Sequence, residues 1–221
     1  MAGPVFRDRR DGGRALAKVL SSYADRPDVV VLALPRGGVP VGFEVARALH
    51  APLDVFIVRK LGVPGHEEYA MGAIATGGVR VMNEKIVQLL GIPDHAVEAV
   101  ARAEQLELER RERTYRDARP AGDLRNRTVI LVDDGLATGA TMLAAVKAMR
   151  AKQPARIVVA VPTAAAETCQ DMRHDADEVI CASTPEPFHA VGQWYEDFEQ
   201  TSDEEVHELL ALAEHDVAHQ T

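Results

Sequence analysis

Short apolar runs alternate with amphipathic stretches along much of the chain. Five of these runs are rich in Val and Ile and predict strands, over residues 28–34, 53–58, 128–132, 156–161 and 178–182. Amphipathic stretches follow several of them and predict helices over 39–49, 141–151 and a segment that ends near Arg173. Apolar strands separated by helices are typical of a parallel sheet covered on both faces, so the pattern predicts a five-strand parallel α/β core.

The middle of the chain departs from this rhythm. Thr76-Gly77-Gly78 lies within the stretch 73–82 and predicts a hairpin turn. Residues 94–119 are polar, with Glu and Arg repeatedly four positions apart. Because the charges alternate in sign, this stretch predicts a long solvent-exposed helix rather than a binding surface.

The two ends of the chain are expected to lie outside the parallel core. We expect a helix beyond Gly13 in the N-terminal segment and a second helix after Ser202, which forms a capping box with Glu205. The tail helix has an apolar face that should dock on the core or on a second subunit. The predicted division is residues 1–27, an N-terminal part of a small hood; 28–183, the core; and 184–221, the C-terminal hood segment and docking helix.

Composition limits the classes of function. The formal net charge of −9 argues against nucleic-acid binding, which needs clustered Lys and Arg. The first ten residues lack an apolar signal core and no run of about 18 apolar residues occurs, so we expect a cytoplasmic protein without membrane contact. Cys169 and Cys181 have no metal-binding spacing, so we expect two buried thiols.

The sharpest candidate for chemistry is the stretch Val129–Thr141, which reads VILVDDGLATGAT. A buried strand delivers Asp133 and Asp134 to its carboxyl end, where ligands bind in open α/β sheets. A loop of small residues then leads into a helix, whose free N–H groups favour a phosphate. Paired carboxylates suit the vicinal hydroxyls of a sugar, because hydroxyl donors need acceptors.

This stretch has two other interpretations, a plain turn with a helix cap and the strand end of an ATPase. Asp-Asp-Gly alone is a common turn, and Thr138 alone is a common helix cap, but neither explains the order of the whole stretch. An ATPase would need a G-x-x-x-x-G-K-[ST] loop, and the sequence contains none.

The stretch resembles the ribose- and phosphate-binding signature of type I phosphoribosyltransferases. The resemblance implies that the two acids bind the 2′- and 3′-hydroxyls of phosphoribosyl pyrophosphate and hold Mg²⁺ through water. It also implies that the loop and the helix start enclose the 5′-phosphate. The implied ribose 5-phosphate site comprises Asp133, Asp134, Gly135, Ala137, Thr138, Gly139, Ala140 and Thr141.

Two further loops fall where that family binds pyrophosphate. Pro35, Arg36, Gly37 and Gly38 follow the first strand, and the family often has a non-proline cis peptide in this loop. Residues 58–64 resemble the start of the family's flexible loop, so Arg59 or Lys60 would meet the leaving pyrophosphate. With the acids, Arg36, Arg59 and Lys60 form the predicted catalytic set. A glycine-rich turn and a basic surface turn are the plain alternatives, and we expect His66 to be a mobile surface residue.

The acceptor is less well defined. Ala137 stands where members acting on 6-oxopurines usually carry an acid, which favours an adenine-like acceptor. Aromatic residues concentrate between Phe188 and Phe198, so we expect either Trp194 or Tyr195 to line the base site, with Thr163 nearby, unless these rings only staple the tail to the core. The predicted function is transfer of a phosphoribosyl group to a nitrogen base in a homodimer. The alternative is a regulatory protein that senses the same ligand.

Overall fold

The five predicted strands form one parallel sheet in the computed structural model, which describes residues 5–116 and 122–218. The strand order is β2-β1-β6-β7-β8, and every neighbouring pair is parallel. The carboxyl ends of these strands therefore meet at one edge, where ligand-binding loops are expected. The strands are β1 (Val29–Ala33), β2 (Leu53–Val55), β6 (Thr128–Val132), β7 (Arg156–Thr163) and β8 (Glu178–Ser183).

Helices cover both faces of this sheet. One face packs against α1 (Arg9–Val19) and α2 (Gly38–Leu49), and the other packs against α5 (Ala140–Arg150) and α6 (Ala166–Met172). Strand residues alternate between the two cores, with Val31 and Ile130 on the α1 side and Leu32 and Leu131 on the α5 side. The fold class predicted from the sequence is confirmed.

Helix α1 begins earlier than expected. The Asp8 carboxylate caps it by accepting from the Asp11 N–H at 2.7 Å, so the prediction of a helix only beyond Gly13 is wrong. Gly12 and Gly13 are buried in the helix, and a Cβ at Gly13 would lie 2.8 Å from the carbonyl oxygen of Val41. Close packing on α2 thus overrides the poor helix propensity of glycine.

A second, antiparallel sheet interrupts the α/β order. It contains β3 (Val58–Val63), β4 (His66–Ala75) and β5 (Val79–Met82), in the order β3-β4-β5. The predicted hairpin turn is confirmed, with Gly77 and Gly78 both at positive φ between β4 and β5. Two expectations are wrong: the strand predicted over 53–58 ends at Val55, and most of the stretch 58–64, which resembled the start of a flexible loop, forms strand β3 paired with β4.

The remaining helices are α3 (Glu84–Leu89), α4 (Asp94–Arg116) and α7 (Asp203–Ala218). Ser202 accepts a hydrogen bond from the Glu205 N–H at 3.0 Å, as predicted for the start of α7. The apolar face of α7 packs on α2 and α4 of the same chain, through Val206, Leu209, Leu210 and Ala213. The predicted end of α4 at Arg119 lies outside the described residues.

Cys169 of α6 and Cys181 of β8 are joined by a disulfide, so the expectation of two separate thiols is wrong. The two positions meet because α6 packs beside β8.

Among the described residues, no helix is both long and apolar enough to cross a membrane. The division into a core and two hood segments stays a prediction. The body of α1 lies on the sheet, and its N-terminal end reaches the carboxyl edge.

Candidate active site

The loops after β1 and β6 lie side by side at the carboxyl edge. Their strands are paired up to Ala33 and Val132, and the Leu34 N–H donates to the Val132 carbonyl at 2.8 Å. A Cβ at Gly38 would lie 2.7 Å from that same carbonyl, and one at Gly37 would overlap the Asp134 carboxylate. The glycines therefore allow the loop 35–38 to approach the acid pair closely. The sequence indicated these two loops as separate candidates, and the structure places them in contact.

The loop after β1 contains the cis peptide expected from the resemblance, between Pro35 and Arg36. Arg36 does not point back onto the acids. Its guanidinium lies 3.7 Å from the Asp203 carboxylate at the start of α7, which also accepts from the Tyr115 hydroxyl at 2.6 Å. The Arg36 side chain keeps a third of its surface exposed, at 33%.

The loop after β6 is anchored by its backbone. The Leu136 N–H donates to the Thr163 carbonyl at 3.0 Å, and the Thr168 hydroxyl donates to the Ala137 carbonyl at 2.6 Å. Gly139 has φ +68°, which favours glycine, and a Cβ there would also meet Thr168.

Helix α5 follows this loop directly. No side chain caps it, so Thr138 is not the cap that the turn interpretation required. Ala140 and Thr141, the first two helical residues, are exposed. The first N–H groups of α5 are therefore available to an anion.

Burial is the largest influence on the pKa values of the acid pair. It raises the pKa of Asp133 well above its usual range, and the charge of Asp134 raises it further. Burial also raises the pKa of Asp134, although the Arg9 guanidinium opposes this shift. The Asp134 N–H donates to the Asp133 carboxylate at 2.9 Å, which fixes the two acids relative to each other.

Arg9 is a site residue that the sequence analysis missed. From the first turn of α1, its Nε donates to Asp134 at 2.8 Å, and one terminal nitrogen donates to the Glu199 carbonyl at 2.6 Å. Its guanidinium stacks 3.8 Å from the centre of the Phe198 ring. Arg9 thus contacts both the acid pair and residues 198–199 from its position in the N-terminal helix. The run Arg7–Arg10 was the available signal, but nothing in it says which arginine turns inward.

Val191 and Tyr195 of the segment 188–198 contact the acid loop, and the rings of this segment are packed against one another. The Tyr195 hydroxyl donates to the Asp134 carbonyl at 2.6 Å, and its ring stacks on Phe198. Trp194 is 2% exposed and packs beside Phe188. Thr163 is fully buried, and its hydroxyl has no hydrogen-bond partner among the described residues. Their base-binding role remains a prediction.

Arg59 and Lys60 point in opposite directions because they are neighbours on strand β3. The Arg59 Nε donates to Glu104 of α4 at 2.6 Å. Lys60 lines a cavity between the antiparallel sheet and α5. The structure therefore brings together the loops 35–38 and 133–139, whereas Arg59 is bound to α4.

The match to known proteins agrees with this architecture. The sequence pattern of the phosphoribosyl transferase domain matches residues 8–199. The chain belongs to the phosphoribosyl transferase family. Its resemblance to the type I members is thereby confirmed, and the parallel sheet with helices on both faces is the fold that this resemblance implied.

The similarity to individual proteins extends along nearly the whole chain. A Mycobacterium tuberculosis protein named "Putative phosphoribosyl transferase MT0597" is 48% identical over 214 residues, which are 97% of this chain. The chain spans about half the length of that relative, at 48%. The crystal structure of TT1426 from Thermus thermophilus is similar with a TM-score of 0.83 and 43% identity, covering 93% of this chain and 97% of that one.

Proposed function

We propose that this protein transfers a 5-phosphoribosyl group from phosphoribosyl pyrophosphate to a nitrogen base and releases pyrophosphate. One observation carries the proposal: the loops 35–38 and 133–139 meet at one sheet edge, with Gly37 against the Asp134 carboxylate. A diphosphate loop and a ribose-phosphate loop must be neighbours for one ligand to span both.

Each part of this edge suits one part of the ligand. The open N-terminus of α5 suits the 5′-phosphate, because helical N–H groups there favour an anion. Asp133 and Asp134 offer acceptors to the ribose hydroxyls, and burial strengthens such hydrogen bonds. The loop 35–38 lies beside them for the pyrophosphate.

Catalysis in such a site is mainly positioning and charge stabilisation. As the bond from ribose to pyrophosphate breaks, positive charge develops on the sugar and negative charge on the leaving group. The carboxylates lie on the sugar side. Arg36, which is one-third exposed and only loosely paired with Asp203, would move onto the leaving group when the ligand binds.

Mg²⁺ fits this site only as an ion shared with the ligand. No group of three or more His, Cys, Asp or Glu side chains that could hold a metal occurs among the described residues. Asp133 and Asp134 supply oxygen donors, and Mg²⁺ is commonly held by one or two carboxylates together with phosphate oxygens and water. When bound, the ion would neutralise the pyrophosphate.

The decisive experiment is a panel of nucleobases, including adenine, hypoxanthine and guanine, with phosphoribosyl pyrophosphate and Mg²⁺. We expect pyrophosphate release with an adenine-like acceptor, because Ala137 lacks the acid typical of 6-oxopurine enzymes. Saturable binding without turnover on any acceptor would instead identify a sensor. No binding at all would refute the proposal.

We also propose a cytoplasmic homodimer that acts in nucleotide salvage, as the resemblance suggests. Sedimentation equilibrium at several concentrations tests the dimer directly. A monomer at all concentrations would contradict that part without affecting the proposed reaction.

A further inference from the structure

A cavity of about 630 Å³ lies between the antiparallel sheet and α5. This volume falls within the range of small-molecule sites. Its floor is lined by apolar side chains of two elements, Val81 and Met82 from β5 and Leu143 and Ala144 from α5. The cavity is therefore a cleft between two elements, and its interior is suited to an apolar group.

Three lysines surround this cleft: Lys60 from β3, Lys85 from α3 and Lys147 from α5. The whole chain has only five lysines, the other two being Lys18 and Lys152. More than half of them thus gather at one cavity, although they come from three elements distant in sequence.

The three lysines also differ from the nearby arginines in their partners. Arg59 and Arg80, from the same small sheet, are bound to Glu104 and Glu98 of α4 at 2.6 and 2.7 Å. By contrast, no hydrogen bond or ion pair to another described residue holds the side chain of Lys60, Lys85 or Lys147. Among the described residues, Glu84 alone contributes a carboxylate to the lining. In a chain of net charge −9, the described lining therefore carries three lysines against one carboxylate, a local excess of positive charge.

We propose that this cavity binds a phosphorylated small molecule with an apolar part, such as a nucleotide, at a site separate from the acid pair. The lysines provide the charge for the phosphates, and the floor of β5 and α5 receives the apolar part. The inference does not depend on the proposed transferase activity, although the cavity shares Lys60 and Ala140 with the sites that the resemblance implies for pyrophosphate and the 5′-phosphate. Ala140 lines the cavity and also begins α5 beside the predicted phosphate loop, so an occupant would contact an element shared by both sites.

The test is calorimetry with ATP, without metal ion and at fixed ionic strength. Tripolyphosphate and adenosine serve as probes that carry only the charge or only the apolar part. We expect ATP to bind more tightly than either, and the double variant Lys85→Gln with Lys147→Gln to weaken it about tenfold or more. A matched variant, Lys18→Gln with Lys152→Gln, removes the same charge outside the cavity and should bind ATP as the parent does.

Four calorimetric results would overturn the proposal. The first is no saturable ATP binding, and the second is equal loss in the two lysine pairs, which would indicate only a general effect of charge. The third is loss of ATP binding in Asp133→Asn with Asp134→Asn, because ATP would then occupy the acid-pair site. Tripolyphosphate binding as tightly as ATP would remove the role of the apolar floor and refute the ligand class.

Mass spectrometry after lysine acylation gives an independent check on the unaltered protein. Bound ATP should protect Lys60, Lys85 and Lys147 and leave Lys18 as reactive as before. Unchanged modification of all five lysines at saturating ATP would place the ligand elsewhere.

Discussion

The two loops at the carboxyl edge and the hairpin of the small antiparallel sheet differ in how closely their glycines are packed and in whether nearby charged side chains are paired. At the edge, a Cβ on Gly37 or Gly38 would overlap neighbouring atoms, and the Asp134 carboxylate is paired with Arg9. At the hairpin turn of the small sheet, Gly78 has nothing within 4 Å of a Cβ, and the lysines of β3, α3 and α5 beside the cavity have no partner among the described residues. The edge therefore holds one arrangement, whereas the hairpin turn at Gly78 and the lysines beside the cavity leave space and charge available.

The largest expected effect is on the acids at the edge. Asp133→Asn with Asp134→Asn should weaken binding of phosphoribosyl pyrophosphate by about 3–6 kcal/mol at most, because two charge-assisted hydrogen bonds are lost. Calorimetry with Mg²⁺ measures this. Asp94→Asn with Asp171→Asn changes two exposed carboxylates and serves as the control. Unaltered binding by the first pair would show that the ribose lies elsewhere.

Arg9→Met should have the next largest effect, this time on folding. The side chains of Arg9 and Asp134 are only 12% and 15% exposed, so the substitution leaves a buried carboxylate without its cation. We expect the free energy of unfolding to fall by about 3 kcal/mol, as measured by urea denaturation. Arg7→Met is the control, because that side chain is 69% exposed. Similar losses in both variants would contradict a special role for Arg9.

Gly37→Ala tests the close approach of the two loops. The residue has φ −60°, which alanine adopts readily, so any cost comes from the contact with Asp134. We expect a loss of about 1–3 kcal/mol in unfolding free energy, together with weaker ligand binding. A variant as stable as the parent, with normal binding, would show that the loops are not held together there.

Gly78→Ala is the counterpart in the small sheet. Here the surroundings are open and φ is +73°, so only the backbone conformation opposes a side chain. We expect a cost of about 1–2 kcal/mol in thermal or urea unfolding. Ligand binding at the edge should not change, and a loss of binding would mean that the two regions are coupled through the hairpin.

Tyr195→Phe should give the smallest effect, about 1 kcal/mol in unfolding free energy. The variant keeps the ring stacked on Phe198 and removes only the hydroxyl that donates to the Asp134 carbonyl. Tyr69→Phe alters an exposed hydroxyl and provides the baseline. If the two variants were equally stable, the hydrogen bond from Tyr195 would contribute nothing.

Much of the fold followed from local pattern. The runs of Val and Ile predicted five strands, because an apolar strand between two helices must be buried on both faces. The Thr76-Gly77-Gly78 turn was likewise readable from three residues. Pattern failed at residues 58–63, because basic residues on a strand with an exposed face look like those of a loop. It also failed at Gly12 and Gly13, where close packing against Pro162 of β7 and against α2, respectively, requires small residues within a helix.

The sequence by itself determined the family, the parallel core and the two loops that carry its motifs, since each depends on residues close together in the chain. Only the tertiary structure decided which distant residues meet. Arg9 contacts Asp134 across 125 positions, and Lys60 and Lys147 reach one cavity from different elements. Such contacts depend on how helices and sheets pack, because the direction of a long side chain is set by its neighbours in space rather than in sequence.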